Sequence, residues 1–188
     1  MKTLLITTAV ATALAGGAHA DDVATDNAAV TAAFAELAAR QAEDARIAAN
    51  LETFDTLDFD VFTGQHWDRL HESHAADITV HLPDGSTTTG IEPHIDYLKY
   101  FFTFAPDTRI EEHPIRIGQG EWTGVVGVIE GTFSQPMHLA DGTVIEPTGQ
   151  AYKLTMATIG HWTEAGVMDE EYLFWDNATF YAQIGLGQ

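Results

Sequence analysis

Hydrophobic positions along this chain change their repeat several times, and each change predicts an element. From Ala28 to about Phe54 the segment "AAVTAAFAELAARQAEDARIAANLETF" contains no Gly or Pro. Val30, Phe34 and Leu37, then Ile47, Leu51 and Phe54, recur there at helical spacing, which predicts one long helix or two in sequence. Asp26 or Asn27 can cap it, after an irregular lead-in at 21–27. A further helix is expected across "DVFTGQHWDRLHESH", apolar at Phe62, Trp67 and Leu70. The period then drops to two. Ile78, Val80 and Leu82 alternate with Asp77, Thr79 and His81, as in a half-buried strand, and Pro83-Asp84-Gly85 turns the chain into a short return strand, "STTTG". "IEPHIDYLKYFFTFAP" reads as a helix with Ile91, Ile95, Leu98 and Phe102 on its apolar side. Four strand-like segments follow, "TRIEEHPIRIG", "EWTGVVGVIEGTFS", "QAYKLTMATIGHWT" and "VMDEEYLFW", and a short helix, "ATFYAQIGL", ends the chain.

That order predicts an α+β domain, a curved and mostly antiparallel sheet backed by three helices, with an extra Ala-rich helix in front. A strongly bent sheet under helices makes a cone whose interior is filled by side chains or by a ligand. Tyr97, Phe101, Trp122, Tyr152 and Trp175, with His94 one turn into its helix, are the candidates to line such a pocket. Most of the aromatics must simply form the core.

The chain's ends and charge narrow its setting. Lys2, an apolar run from Leu4 to Ala15 and the small-residue site Ala18-His19-Ala20 form the pattern of a cleaved secretory signal, too short to span a bilayer. The expected divisions are therefore 1–20 as signal, 21–46 as lead-in and Ala-rich helix, and 47–188 as the main domain, exported to a bacterial periplasm. A formal charge of −20 argues against nucleic acid or anionic membrane as a partner. With no cysteine, disulfides contribute nothing.

Chemistry concentrates near the C-terminus. Asp176 directly follows Leu173-Phe174-Trp175, where an ionised carboxylate is costly unless paired, hydrogen-bonded or protonated. It can cap the helix near Ala178, act as an acid–base group, or do both. Glu170 and Glu171 point to opposite faces of one strand, and alternation with Leu173 and Trp175 favours Glu171 for the interior. His71, His74 and His81 in "HESHAADITVH" invite a metal reading, but H-E-x-x-H is absent and His81 falls on the polar side of its strand. Surface or capping histidines are the expectation, with no metal and no cofactor. G-x-S-x-G, a P-loop and a dinucleotide-binding fingerprint are all missing; "GVVGVIEG" lacks the required strand–turn–helix context.

Three stretches resemble one family. "HAADITVHLPDG", "EGTFSQPMHLADGTVIEPTGQAYKL" and "EAGVMDEEYLFWDNATFYAQIGL", in order from about Asn50 to Leu186, are similar to the SnoaL-like polyketide cyclase (ester cyclase) group, within the cone-shaped fold of nuclear transport factor 2 and ketosteroid isomerase. The Ala-rich helix lies outside the match. The resemblance implies ring closure by intramolecular aldol condensation without a cofactor, with an Asp of the last strand as acid–base catalyst and a His assisting. By position these are Asp176 and His161, although a one-residue offset at "TEAG" would turn His161 to the other face. Ketosteroid isomerase uses an Asp base and a protonated Asp donor in a cavity of this kind. The expectation is an exported cyclase or isomerase acting on a small carbonyl compound. The alternatives are a periplasmic binder of an apolar small molecule and a dimeric structural module, since cones of this kind often pair through the outer face of the sheet. A homodimer is expected.

Overall fold

A computed structural model describes residues 20–187. The expected signal segment, apart from Ala20, lies outside the described residues. Residues up to Ala42 separate from the compact unit Glu43–Gln188.

Helix α1 is continuous over Ala20–Thr56. The irregular lead-in expected at 21–27 is helical instead, and the reason is local: no Gly or Pro interrupts the stretch. Val30, Phe34 and Leu37 are exposed. Within the compact unit, Glu43 Oε1 accepts from Gly120 N at 2.9 Å, and Phe54 is buried edge-on against Trp162 with ring centres 5.4 Å apart.

The helix expected at 60–74 is replaced by two tighter and looser turns. A π-helical turn, Leu57–Phe62, continues α1, and a 3-10 turn, Trp67–Glu72, follows after Gly64 and Gln65, the latter at φ 55°. Wide-turn bonds from Thr63 N to Asp58 O (3.3 Å) and from His66 N to Val61 O (2.8 Å) bring Leu57, Asp58, Val61 and Phe62 together on the buried side. Such π-turns are frequent at functional sites.

The remaining elements are β1 (His74–His81), β2 (Thr87–Thr89), α2 (Ile91–Phe104), β3 (Arg109–Ile110), β4 (Ile115–Gln119), β5 (Trp122–Thr132), β6 (Met137–His138), β7 (Val144–Ile145), β8 (Ala151–Trp162), β9 (Met168–Phe174) and α3 (Asn177–Gln183). One seven-stranded sheet runs β2-β1-β9-β8-β5-β3, with β4 also on β5, and β6-β7 form a separate hairpin. Among the described residues, only the β1–β9 pair is parallel. The strand expected over 108–118 is split at Glu111–Pro114, where Pro114 has no N–H to give a ladder.

Alternation sets what each strand buries. On β8 the even positions from Tyr152 to Trp162 face the core, and on β9 Glu171 and Leu173 do so. The opposite parity leaves Ile115, Ile117, Trp122, Ile159 and Phe174 exposed on the outer face. The core proper gathers Phe54, Leu57, Phe62, Phe102, Phe104, Phe133, Trp162 and Phe180 between that sheet and the helices.

Candidate active site

Four ionisable side chains from four elements enter one apolar cavity. Asp58 comes from the π-turn, His74 from the start of β1, His94 from the first turn of α2 and Glu171 from the middle of β9. They are nearly inaccessible, at 8%, 3%, 2% and 3% exposure. Leu57, Phe62, Ile110, Ile129, Met156 and Leu173 supply apolar walls. The space open to the centres of water-sized molecules is about 40 Å³, roughly two or three waters.

Glu171 Oε2 is the focal atom. It lies 3.5 Å from His74 Nε2 and 3.5 Å from His94 Nε2, too far for a good hydrogen bond, and neither Oε2 nor His74 Nε2 has any other partner. His94 Nδ1 is also unpaired. Ser73 Oγ donates to Leu70 O (3.2 Å) and therefore accepts from His74 Nδ1 (2.8 Å), which orients that ring. His113, itself almost wholly enclosed, bridges two carboxylates: Nε2 contacts Asp58 Oδ2 and Nδ1 contacts Asp55 Oδ1, both at 2.8 Å.

These surroundings push the two cavity carboxyls apart. Burial raises Asp58 above the ordinary aspartate value, against the opposing pull of its His113 hydrogen bond. For Glu171 burial pushes in the same direction, but His74 outweighs it and holds the carboxyl below its usual range. Burial drives His94 down to about 4, so it is neutral at pH 7. Burial opposes charge on His113, yet its contacts with Asp58 and Asp55 raise it above the ordinary histidine value. The two carboxyls are thus displaced in opposite directions, Asp58 holding a proton more tightly than an ordinary aspartate and Glu171 less tightly than an ordinary glutamate. Paired carboxyls displaced in opposite directions are the mark of an acid–base site.

Not all of the expected site residues converge here. Glu171, His94, Tyr97, Phe101 and Trp175 line the cavity. Asp176 does not: it is exposed at the N-cap of α3, accepting from Ala178 N at 2.9 Å and Thr179 Oγ1 at 2.6 Å, and these bonds hold its carboxyl low. Beyond the half-buried Trp175, the next residue of an extended chain faces away, so Asp176 meets water. His161 also points outward, between Asp169 and Glu121, because its parity on β8 opposes that of Gly160 and Trp162. Trp122 lies on the same outer face beside His161. Tyr152 is core, its hydroxyl bonded to Thr108 Oγ1 at 2.7 Å.

Asp58, His74 and His113 went unrecognised as site residues. Two of them carried a signal. Asp58 interrupts an apolar stripe, Phe54, Leu57, Val61 and Phe62, at helical spacing, and His74 shares the parity of Ile78 and Val80. Nothing local marks His113.

Tyr97, Phe101 and Trp175 line a second depression as well, an outer cleft floored by Phe104 and Phe180 and open to about 190 Å³ of water-sized space. The three rings therefore stand between cleft and cavity. Phe101 meets Trp175 edge-on at 5.7 Å.

The sequence comparison assigns this sheet and its helices to a family: residues 56–168 match the SnoaL-like domain. The chain belongs to the SnoaL-like family. It is similar to a solved protein from Jannaschia sp. CCS1 named as a SnoaL-like polyketide cyclase, at 20% identity over 75% of this chain and 94% of that one, with a TM-score of 0.64. It is similar as well to IdmH, described as a polyketide cyclase of Streptomyces antibioticus, at 23% identity over 72% and 98%, TM-score 0.61. A Catenulispora acidiphila protein with a ketosteroid isomerase-like fold, solved with trimethylamine, aligns at 19% identity over 67% and 87%, TM-score 0.53. At such identities the likeness establishes the fold. No curated protein matches the sequence.

Proposed function

We propose that this protein is a cofactor-free cyclase or isomerase of small carbonyl compounds, with Glu171 as base and Asp58 as acid. The observation that carries this reading is the enclosure of two carboxyl groups in one apolar cavity. Family membership supports the reaction class, and the opposed shifts of the two acids support their roles.

In the proposed step, a Glu171 oxygen takes the proton alpha to the carbonyl. The C–H pair becomes the enolate double bond while the carbonyl π pair moves onto oxygen. Asp58 Oδ2 is engaged by His113 and Oδ1 has no hydrogen bond to a described residue, leaving Oδ1 to donate to that oxygen. The enolate carbon then attacks a second carbonyl within the molecule, whose π pair moves onto its oxygen and takes the proton back from Glu171 as the ring closes, or Glu171 returns that proton to another carbon of the enolate. Donors placed before charge develops lower the barrier most in a dry site. Because the inner cavity is so small, the bulk of a substrate would occupy the outer cleft and only its reacting end would pass Tyr97, Phe101 and Trp175.

The test is deuterium exchange in heavy water, followed by NMR, on a panel of cyclic β-diketones and β,γ-unsaturated ketones. Exchange at the alpha carbon well above the buffer rate is expected for at least one compound. Binding of panel members with exchange no faster than buffer would instead favour an apolar-ligand binder, a reading that the aromatic cleft supports.

A further inference from the structure

The facing of Glu171 with two imidazoles has a consequence independent of any turnover. His74 Nδ1 gives its hydrogen to Ser73 Oγ, whose own hydrogen goes to Leu70 O. His74 Nε2 is then the atom that faces Glu171 Oε2, at 3.5 Å, and it meets that oxygen favourably either with a proton of its own or through a bound cation. Both atoms are buried with no hydrogen-bond partner, an arrangement that a proton or a metal cation between them would relieve. His94 turns Nε2 toward the same oxygen.

We propose that His74 Nε2, His94 Nε2 and Glu171 Oε2 form a site for one zinc ion, and that zinc switches this cavity off. The distances fit the ion. Zn–N and Zn–O bonds near 2.0–2.2 Å at tetrahedral angles separate neighbouring donors by about 3.3–3.5 Å; two of the three edges are 3.5 Å. All donor atoms lie within 4.8 Å of one another, so the third edge closes by small ring rotations. Two imidazoles and a carboxylate are a common zinc donor set, and all three residues line the water-sized space of the cavity, which could supply a water as fourth ligand. Ser73 supplies the outer hydrogen bond that ligating histidines usually have. The three donors lie on β1, α2 and β9, which is why the spacing within "HESHAADITVH" does not disclose them: of that stretch only His74 takes part.

The binding claim stands on donor geometry. Only its effect rests on the function proposed above, because a zinc ion on Glu171 Oε2 occupies the lone pair that would take the substrate proton. The two parts fail separately.

Chelator-treated protein titrated with zinc chloride at neutral pH, by calorimetry and by metal analysis after gel filtration, is expected to take up one zinc per chain. His94→Gln and Glu171→Gln should weaken that uptake by more than the roughly 10–100-fold that an outer-shell change costs. His71→Ala and Asp176→Asn, both on the surface, should keep it. Cobalt(II) bound to the wild-type chain should show the intense visible bands of a tetrahedral ion, a readout that does not depend on any variant folding. No stoichiometric uptake, uptake that survives in correctly folded His94→Gln, or a weak octahedral cobalt spectrum would each overturn the site. If zinc binds yet leaves deuterium exchange undiminished, the switch is wrong while the site stands.

Discussion

Glu171→Gln should lower the exchange rate of the responsive carbonyl compound by about 10²–10⁴-fold, the usual worth of a positioned base, while Asp176→Asn leaves it within a small factor of wild type. The contrast follows from orientation. Both acids belong to the C-terminal stretch "DEEYLFWDNATF", but Glu171 is enclosed beside His74 and His94 whereas Asp176 faces water as a helix cap. Glutamine keeps the shape of Glu171 and removes its basicity, so KM should change far less than kcat. Asp176→Asn keeps one oxygen to accept from Ala178 N and loses only the acceptor of Thr179 Oγ1, and Asn is itself a good cap. Equal losses in the two variants would return the base to Asp176.

A second large effect is thermodynamic. His94 titrates near 4 in the folded chain against 6.5 when unfolded. Between those values the unfolded state binds the extra proton, so stability falls as the pH falls. A displacement of that size corresponds to about 3 kcal/mol lost between pH 7 and pH 4. Glu171, lowered in the fold, adds a loss in the same direction as the pH passes below its unfolded value, and Asp58, raised in the fold, works against both. Urea unfolding at pH 7, 5.5 and 4, with chelator present, should show the decline. His94→Gln should be less stable at pH 7 but visibly flatter with pH, and an equally steep profile in that variant would remove His94 as the cause.

Much of the fold was readable from periodicity. The α2 stripe, the alternation of β1, β8 and β9 and the capping aspartate of α3 all follow local rules, and parity alone placed Glu171 inside. What failed were decisions that depend on one residue of register. His161 and Trp122 pair across β8 and β5 on the outer face, and a shift of one position would have put both within. Asp176 was legible as a cap and equally as a catalyst, because both readings require the same residue after an apolar strand. The π-turn that carries Asp58 inward has no simple period, and His113 reaches Asp58 only through tertiary packing. The histidine and glutamate cluster joins residues from 74 to 171 and could emerge only once the sheet brought β1 beside β9.

The central claim, that Asp58 and Glu171 act together on a carbonyl group, is tested most directly by a crystal structure of the protein with a small phenol, whose oxygen imitates an enolate. The oxygen is expected within hydrogen-bonding distance of Asp58 Oδ1, with the ring held among Tyr97, Phe101 and Trp175 at the mouth of the inner cavity and an edge toward Glu171. A phenol confined to the outer cleft, with the inner cavity closed and neither carboxyl group in contact, would contradict it.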